Sequence, residues 1–185
     1  MHARTFLRDA LGTALSQYVA RAAVLLRGVV AAAALGPLGY GAWNALNLLL
    51  DYGTYTSAGA LQGMDLELPP AAERGDRARG ARLMAGAWSV VIAGATLFTL
   101  SVGVYLASGH HRIADPWGWG APALMLVAVV LQLAIQYHTG ALRAHGDFQR
   151  VSAALATQAV LGGGLGLALV GWWSVWGLLG GWIAG

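Results

Sequence analysis

Long apolar runs without charge place the strongest constraint on this chain. Three runs hold no Asp, Glu, Lys or Arg over about 20 residues each, the length a helix needs to cross a bilayer; they cover 83–106, 121–142 and 151–170. Two further runs, 13–35 and 40–60, reach that length with few charges. Lipid offers no partners for backbone polar groups, so such runs must be helical or close into a barrel. We predict an all-α polytopic membrane helix bundle with these five full transmembrane helices.

A sixth apolar run, Trp172–Gly185, is too short to span, so we expect a truncated sixth helix and a single N-terminal transmembrane lobe over residues 1–185. Only 10% of the residues are charged, against about a quarter in an average soluble domain. That scarcity argues against a soluble enzyme or a disordered tail. The absence of Cys excludes a disulfide-stapled secreted domain.

The arginines predict the orientation of the spans. All 11 basic residues are Arg. With the N-terminus inside, the inner segments hold Arg4, Arg8, Arg74, Arg77, Arg79, Arg82, Arg143 and Arg150, whereas the outer segments hold Arg112 alone. Basic residues concentrate in cytoplasmic loops, so we predict a cytoplasmic N-terminus. The net charge of +3 then reflects insertion topology, and we expect no nucleic-acid partner.

Polar side chains inside three spans are the main functional signal. Charged groups in lipid are costly and usually face a partner or a watery cavity. At about 100° per residue, the polar residues of each span fall toward one face. The candidate cavity residues are Gln17, Arg21 and Arg27 in the first span, Asn44, Asn47 and Asp51 in the second, and Gln132 and Gln136 in the fourth. The amides could equally be helix-to-helix glue, and that alternative stays open.

The two arginines carry more weight than the amides. Arg21 and Arg27 are about 9 Å apart along a helix axis, and Asp51 on the antiparallel second span lies at an intermediate depth. An Arg–Asp–Arg ladder would partly neutralise these charges and leave guanidinium donors for an anion. Arginine suits phosphate because its planar fork binds two oxygens at once.

Catalytic and metal-binding motifs are weak. The string His110–Asp115 matches the HHxxxD pattern of some acyl-transferring enzymes, but Pro116 follows it in a short loop. His138 and His145 have no third ligand that would complete a metal site. We predict no catalytic residue, no metal, no cofactor and no enzymatic activity.

Several short motifs carry a family resemblance. The stretch Leu35–Trp43, with sequence LGPLGYGAW, ends the first span in a tight outer turn and resembles the LGPxxYGxW segment of polysaccharide and oligosaccharide flippases. That family belongs to the superfamily that includes multidrug and toxic-compound extruders. The likeness continues at 51–53, 59–63, 68–69, 74–76 and 140–146.

The resemblance implies one lobe of a two-lobe flippase. The lobes would form a V around a cavity in a bacterial inner membrane. The cavity would move a lipid-diphosphate-linked oligosaccharide, such as an undecaprenyl-diphosphate glycan, to the outer leaflet for cell-surface polysaccharide biosynthesis. Arg21 and Arg27 match positions thought to contact the diphosphate. This chain supplies one lobe at most, so it is a fragment, associates with a second chain, or is inactive; we expect a fragment whose partner is the missing C-terminal lobe.

Two other functions remain open. A cation-coupled multidrug extruder lobe would favour carboxylates over arginines, and Asp51 is the carboxylate available in a span. A non-transporting membrane scaffold subunit would use every polar stripe as helix glue.

Overall fold

The computed structural model describes the backbone of residues 3–108 and 117–184, and the side chains of residues 18, 21, 22, 25, 26, 28–108 and 117–184. These ranges contain helices and no strand, which confirms the all-α prediction. The helices are α1 (Ala3–Thr54), a 3-10 helix (Tyr55–Ser57), α2 (Ala60–Glu73), α3 (Arg77–Ala107), α4 (Gly120–Ala144), α5 (Phe148–Trp173) and α6 (Val175–Ala184).

Four helical segments in the described ranges are long and apolar enough to cross a membrane: Gly28–Ser57, Arg77–Ala107, Gly120–Ala144 and Phe148–Trp173. The last three contain the predicted spans 83–106, 121–142 and 151–170. The first begins within the predicted run 13–35 and ends at Ser57, so it overlaps the predicted span 40–60 only in part. The run 13–35 is also helical, but most of its side chains are outside the described set. Five full spans therefore stay a prediction. Helix α6 is apolar and has 10 residues.

Helix α1 is broken at one residue, Gly36. The sequence predicts a turn over residues 36–39, whereas in the structure Gly36 alone is non-helical, with φ 67° and ψ 178°, and helical geometry resumes at Pro37. Proline fits the first position of a helix because its missing N–H would have no partner there. A residue before proline is also driven out of the helical region. Gly36 therefore ends one helical segment and Pro37 begins the next.

Helix α2 corrects the sequence analysis, which treated residues 61–82 as an inner loop. Two residues with left-handed backbone, Ala58 (φ 46°) and Gly59 (φ 81°), separate the 3-10 helix from α2. The two prolines and three acidic residues of α2 are typical of a loop. An apolar stripe at helical spacing outweighs them, and its four members are all buried: Leu61, Met64, Leu68 and Ala71.

The chain divides into two compact units, Met1–Tyr40 with Ser152–Gly185, and Gly41–Val151. Within the second unit, α2 packs against α3 and α4, and the 3-10 helix packs against α3. Glycine allows the closest approaches. A Cβ at Gly94 of α3 would overlap the carbonyl oxygen of Thr56, and one at Gly53 would lie 2.5 Å from Val129. A single lobe over residues 1–185 stays a prediction.

Within the first unit, α5 and α6 form an antiparallel pair around Ser174, which has a left-handed backbone (φ 54°). A Cβ at Gly181 would overlap backbone atoms of Gly166, and one at Gly177 would overlap the carbonyl group of Leu169. These glycines allow the backbones of α5 and α6 to come into close contact.

Candidate functional site

The segment 37–54 of helix α1 buries an apolar stripe on one side and exposes polar residues, beside exposed apolar ones such as Leu48, on another. Trp43, Leu46 and Leu50 are buried and, at 100° per residue, fall on one stripe. Asn44 and Asp51 are exposed and lie about 100° around the helix from that stripe. Since Gly28–Ser57 has the length and composition of a membrane span, this polar side lies where lipid would be an unfavourable neighbour.

Asn47 is half-buried at the edge of the polar side. Its amide nitrogen donates a hydrogen bond to the carbonyl oxygen of Trp43, 3.0 Å away, one turn earlier in the same helix. The hydroxyl of Thr54 likewise donates to the carbonyl oxygen of Asp51, at 2.7 Å. These bonds satisfy polar groups within the helix itself and leave the carboxylate of Asp51 on the exposed side.

The polar residues of α4 differ in exposure from those of α1. Gln132 and Gln136 are half-buried and share the side of α4 that buries Met125 and Val129. Thr139 is buried, and its hydroxyl donates to the carbonyl oxygen of Ile135 at 2.8 Å. The two glutamines thus belong to the packed side of α4, whereas Asn44 and Asp51 are exposed.

The predicted arginines lie on the first segment of α1. Arg21 is exposed and belongs to the first unit, whereas Asp51 belongs to the second. The side chains of Gln17 and Arg27 lie outside the described residues. The Arg–Asp–Arg ladder, and the cavity-lining role of the eight candidate residues, therefore stay predictions.

The structure has a cavity of about 180 Å³ between the second segment of α1 and α3. Its walls are almost entirely apolar, and they contain none of the eight predicted residues; the lining residues are Leu49, Phe98, Ser101, Val102, Tyr105 and Leu106. A cavity with such walls suits hydrocarbon rather than a phosphate or a sugar.

Two ion pairs that the sequence analysis missed attach α2 to its neighbours. Asp65 Oδ2 accepts from Arg143 Nη2 of α4 at 2.8 Å, and Glu67 Oε2 accepts from Arg79 Nη2 of α3 at 2.6 Å. Asp65 and Glu67 lie about 80° to either side of the buried stripe of α2. The stripe therefore rests on α3 and α4 with one acidic residue on each flank. Its apolar spacing was the signal that could have predicted this arrangement.

An aromatic cluster joins α3 and α4. The ring centroids of Trp88 and Tyr137 are 4.7 Å apart, and the His138 ring stands edge-on to Tyr137 at 5.3 Å. The Tyr137 hydroxyl donates to the carbonyl oxygen of Met84 at 3.3 Å. The contact between His138 Nδ1 and the carbonyl oxygen of Ala134, at 2.7 Å, requires the proton on Nδ1. These contacts hold α3 and α4 together.

No group of three or more His, Cys, Asp or Glu that could hold a metal ion occurs among the described residues. His138 and His145 each bond to a carbonyl oxygen one turn earlier in their own helix. The string His110–Asp115 lies outside the described residues.

Comparison with known proteins gave no relative: no protein family, no curated protein and no solved structure matches this chain significantly.

Proposed function

We propose that the chain is one lobe of a membrane flippase that moves a lipid-diphosphate-linked oligosaccharide from the cytoplasmic to the outer leaflet of a bacterial inner membrane. The observation that carries the proposal is the exposed polar side of segment 37–54. Asn44 and Asp51 are exposed there, on a helix long and apolar enough to cross a membrane. A charged side chain in a span usually faces water or a polar partner, which is what a transport cavity provides.

The arginines of the first span supply the chemistry in this proposal. The guanidinium groups of Arg21 and Arg27 would bind the diphosphate, since each can donate two parallel hydrogen bonds to phosphate oxygens. Arg21 is exposed, as such a role requires. Transport would follow from different affinities for the substrate in inward-open and outward-open states. No catalytic residue or cofactor is needed, and a second lobe would complete the cavity.

Cysteine labelling tests whether the polar side faces water. The chain has no cysteine, so single substitutions need no prior background changes. In membrane vesicles, Asn44→Cys and Asp51→Cys should react with a membrane-impermeant maleimide. The control is Leu97→Cys on α3, because Leu97 is 68% exposed on the apolar side of a candidate span. Equal labelling at Asp51 and Leu97 would remove the basis of the proposal.

Transport itself is tested with the arginines. In vesicles carrying the full-length protein and a lipid-diphosphate glycan, Arg21→Ala and Arg27→Ala should abolish flipping while membrane insertion stays normal. Arg150→Gln is a suitable control because this arginine is paired locally with Asp147. Unchanged flipping in both alanine variants would contradict a diphosphate-binding role.

Asp51 favours a second candidate, a cation-coupled multidrug extruder lobe. An exposed carboxylate on a candidate span is the type of group that binds a coupling cation. Under this alternative, Asp51→Asn should abolish ion-dependent dye efflux, and Arg27→Ala should leave it intact. A third candidate is a non-transporting scaffold subunit, and the intrahelical bonds of Asn47 and Thr139 agree with it. In that case none of the cysteines would be labelled.

A further inference from the structure

The turn between α2 and α3 carries unusually many basic side chains. Four arginines occur within nine residues, at positions 74, 77, 79 and 82. Four acidic residues, Asp65, Glu67, Glu73 and Asp76, balance them in the sequence. The formal charge of residues 65–82 is therefore zero, and charge alone does not indicate a ligand for this region.

Two of these four acidic residues form ion pairs, and a third caps a helix. Asp65 pairs with Arg143 on α4, and Glu67 pairs with Arg79. Asp76 caps α3, because its Oδ1 accepts a hydrogen bond from the backbone N–H of Arg79 at 2.9 Å. Glu73 is the remaining acidic residue of the set, and it is exposed.

Three arginines are left without an acidic partner. Arg74, Arg77 and Arg82 are exposed, and none forms an ion pair or a side-chain hydrogen bond within the described part of the chain. Each guanidinium group offers five N–H donors to its surroundings.

These arginines lie where a membrane surface is expected. Helix α3 has 31 residues, about 46 Å, whereas the hydrocarbon core of a bilayer is about 30 Å thick. Its uncharged part begins at Leu83. We therefore place Arg74 and Arg77 at the depth of the lipid headgroups. Arg82 lies one residue before the uncharged part of α3, and its long side chain can extend to the same depth.

The neighbouring turn provides a contrast. The α4–α5 turn lies at the same end of the second compact unit as the α2–α3 turn. Helix α2 contacts both turns, because Glu67 pairs with Arg79 at the start of α3 and Asp65 pairs with Arg143 at the end of α4. The arginines there are paired, Arg143 with Asp65 and Arg150 with Asp147 at 3.2 Å. Free guanidinium groups are thus concentrated at the α2–α3 turn.

We propose that the α2–α3 turn binds the headgroups of anionic phospholipids through Arg74, Arg77 and Arg82. A planar guanidinium group pairs with two phosphate oxygens at once, and basic clusters at the membrane surface attract anionic lipid. The site is independent of the proposed transport cavity and of any transported substrate.

Lipid-dependent melting of the purified full chain in detergent tests this proposal. Phosphatidylglycerol should raise the melting temperature of the wild-type chain above the value in phosphatidylcholine. The triple variant R74Q/R77Q/R82Q should lose at least half of that difference, and 0.5 M salt should reduce it in the wild type. The control R150Q removes an arginine that is paired in the structure and should keep the full difference.

The proposal would be overturned by a full phosphatidylglycerol effect in the triple variant, by an equal loss in R150Q, or by the same shift with inorganic phosphate alone. The variant R74K/R77K/R82K keeps the charge and should retain most of the effect. Should the triple variant fail to fold, Arg74→Gln changes a residue outside both helices and should lose about a third of the shift. Native mass spectrometry of the wild type should show bound phosphatidylglycerol in excess of phosphatidylcholine, and equal binding would also contradict the proposal.

Discussion

The guanidinium Nη2 of Arg143 lies 2.8 Å from Oδ2 of Asp65, a residue 78 positions earlier in the chain. The contact passes directly over Gly140, where an added Cβ would lie 2.8 Å from Asp65 Oδ1. The ion pair and the close approach that Gly140 permits together hold α2 against the C-terminal end of α4.

A double-mutant cycle should measure this pairing. The single variants Asp65→Asn and Arg143→Gln and the double variant should give a coupling energy of about 0.5–1 kcal/mol in detergent unfolding, the upper part of the range for exposed pairs. Both side chains remain about two-fifths exposed, so solvent screens the pair. The matched pair Asp147–Arg150, with Arg150 77% exposed, should give a coupling near zero. A coupling near zero for Asp65–Arg143 would show that this α2–α4 ion pair contributes no specific stability.

Gly94→Ala should destabilise the protein by about 1–3 kcal/mol, the usual cost of overpacking. The new methyl group would overlap the carbonyl oxygen of Thr56, a backbone atom that cannot rotate away. Gly103→Ala on the same helix meets no atom within 4 Å and should be neutral or up to about 1 kcal/mol stabilising. Unfolding midpoints of the two variants in the same detergent make the comparison. A neutral Gly94→Ala would mean that α3 and the 3-10 helix are not in close contact.

Gly181→Ala should destabilise the α5–α6 pair by a similar amount, about 1–3 kcal/mol, because its methyl group would overlap the backbone of Gly166. The adjacent Gly180 is exposed and has no atom within 4 Å of an added Cβ, so Gly180→Ala is the control. Limited proteolysis of the folded chain near Ser174 provides the readout, with faster cleavage expected for Gly181→Ala alone. Identical cleavage rates would contradict the glycine contact.

Tyr137→Phe and Tyr137→Leu should separate two contributions of the aromatic cluster. Tyr137→Phe loses only the hydrogen bond to Met84 and should cost about 0.5–1.5 kcal/mol. Tyr137→Leu also removes the ring contact with Trp88 and should cost about 0.5–1.5 kcal/mol more. Unfolding midpoints of both variants give the measurement, and a larger loss for Tyr137→Phe than for Tyr137→Leu would be inconsistent with this geometry.

The long uncharged helices could be predicted from sequence because apolar length alone determines them. The predicted run 121–142 and the observed helix Gly120–Ala144 agree within two residues at each end. Helix α2 could not be recognised by the same reasoning, since its prolines and acidic residues are common in loops. What stabilises it is a buried stripe such as Met64 and Leu68 resting on α3 and α4, a tertiary contact that local composition does not report.

The candidate cavity was harder to predict for a related reason. Helical periodicity places Asn44 and Asp51 on one side of α1. It likewise places Gln132 and Gln136 on one side of α4. It does not say which side of either helix a neighbour covers. In the structure the asparagine and aspartate are exposed, and the glutamines are half-buried on the packed side of α4. The partners of Asp65 and Glu67 were missed because ion pairs between distant positions depend on how helices pack.

The junction at Gly36 imposes a requirement of handedness rather than of size. No atom lies within 4 Å of a Cβ added there, so a methyl group has room. The obstacle is the backbone, since φ 67° with ψ 178° is a conformation that L-residues avoid. Its mirror image is close to the extended geometry that L-residues prefer before a proline. A D-amino acid at position 36 would therefore fit the junction without strain, and among the genetically encoded residues only the achiral one meets that demand.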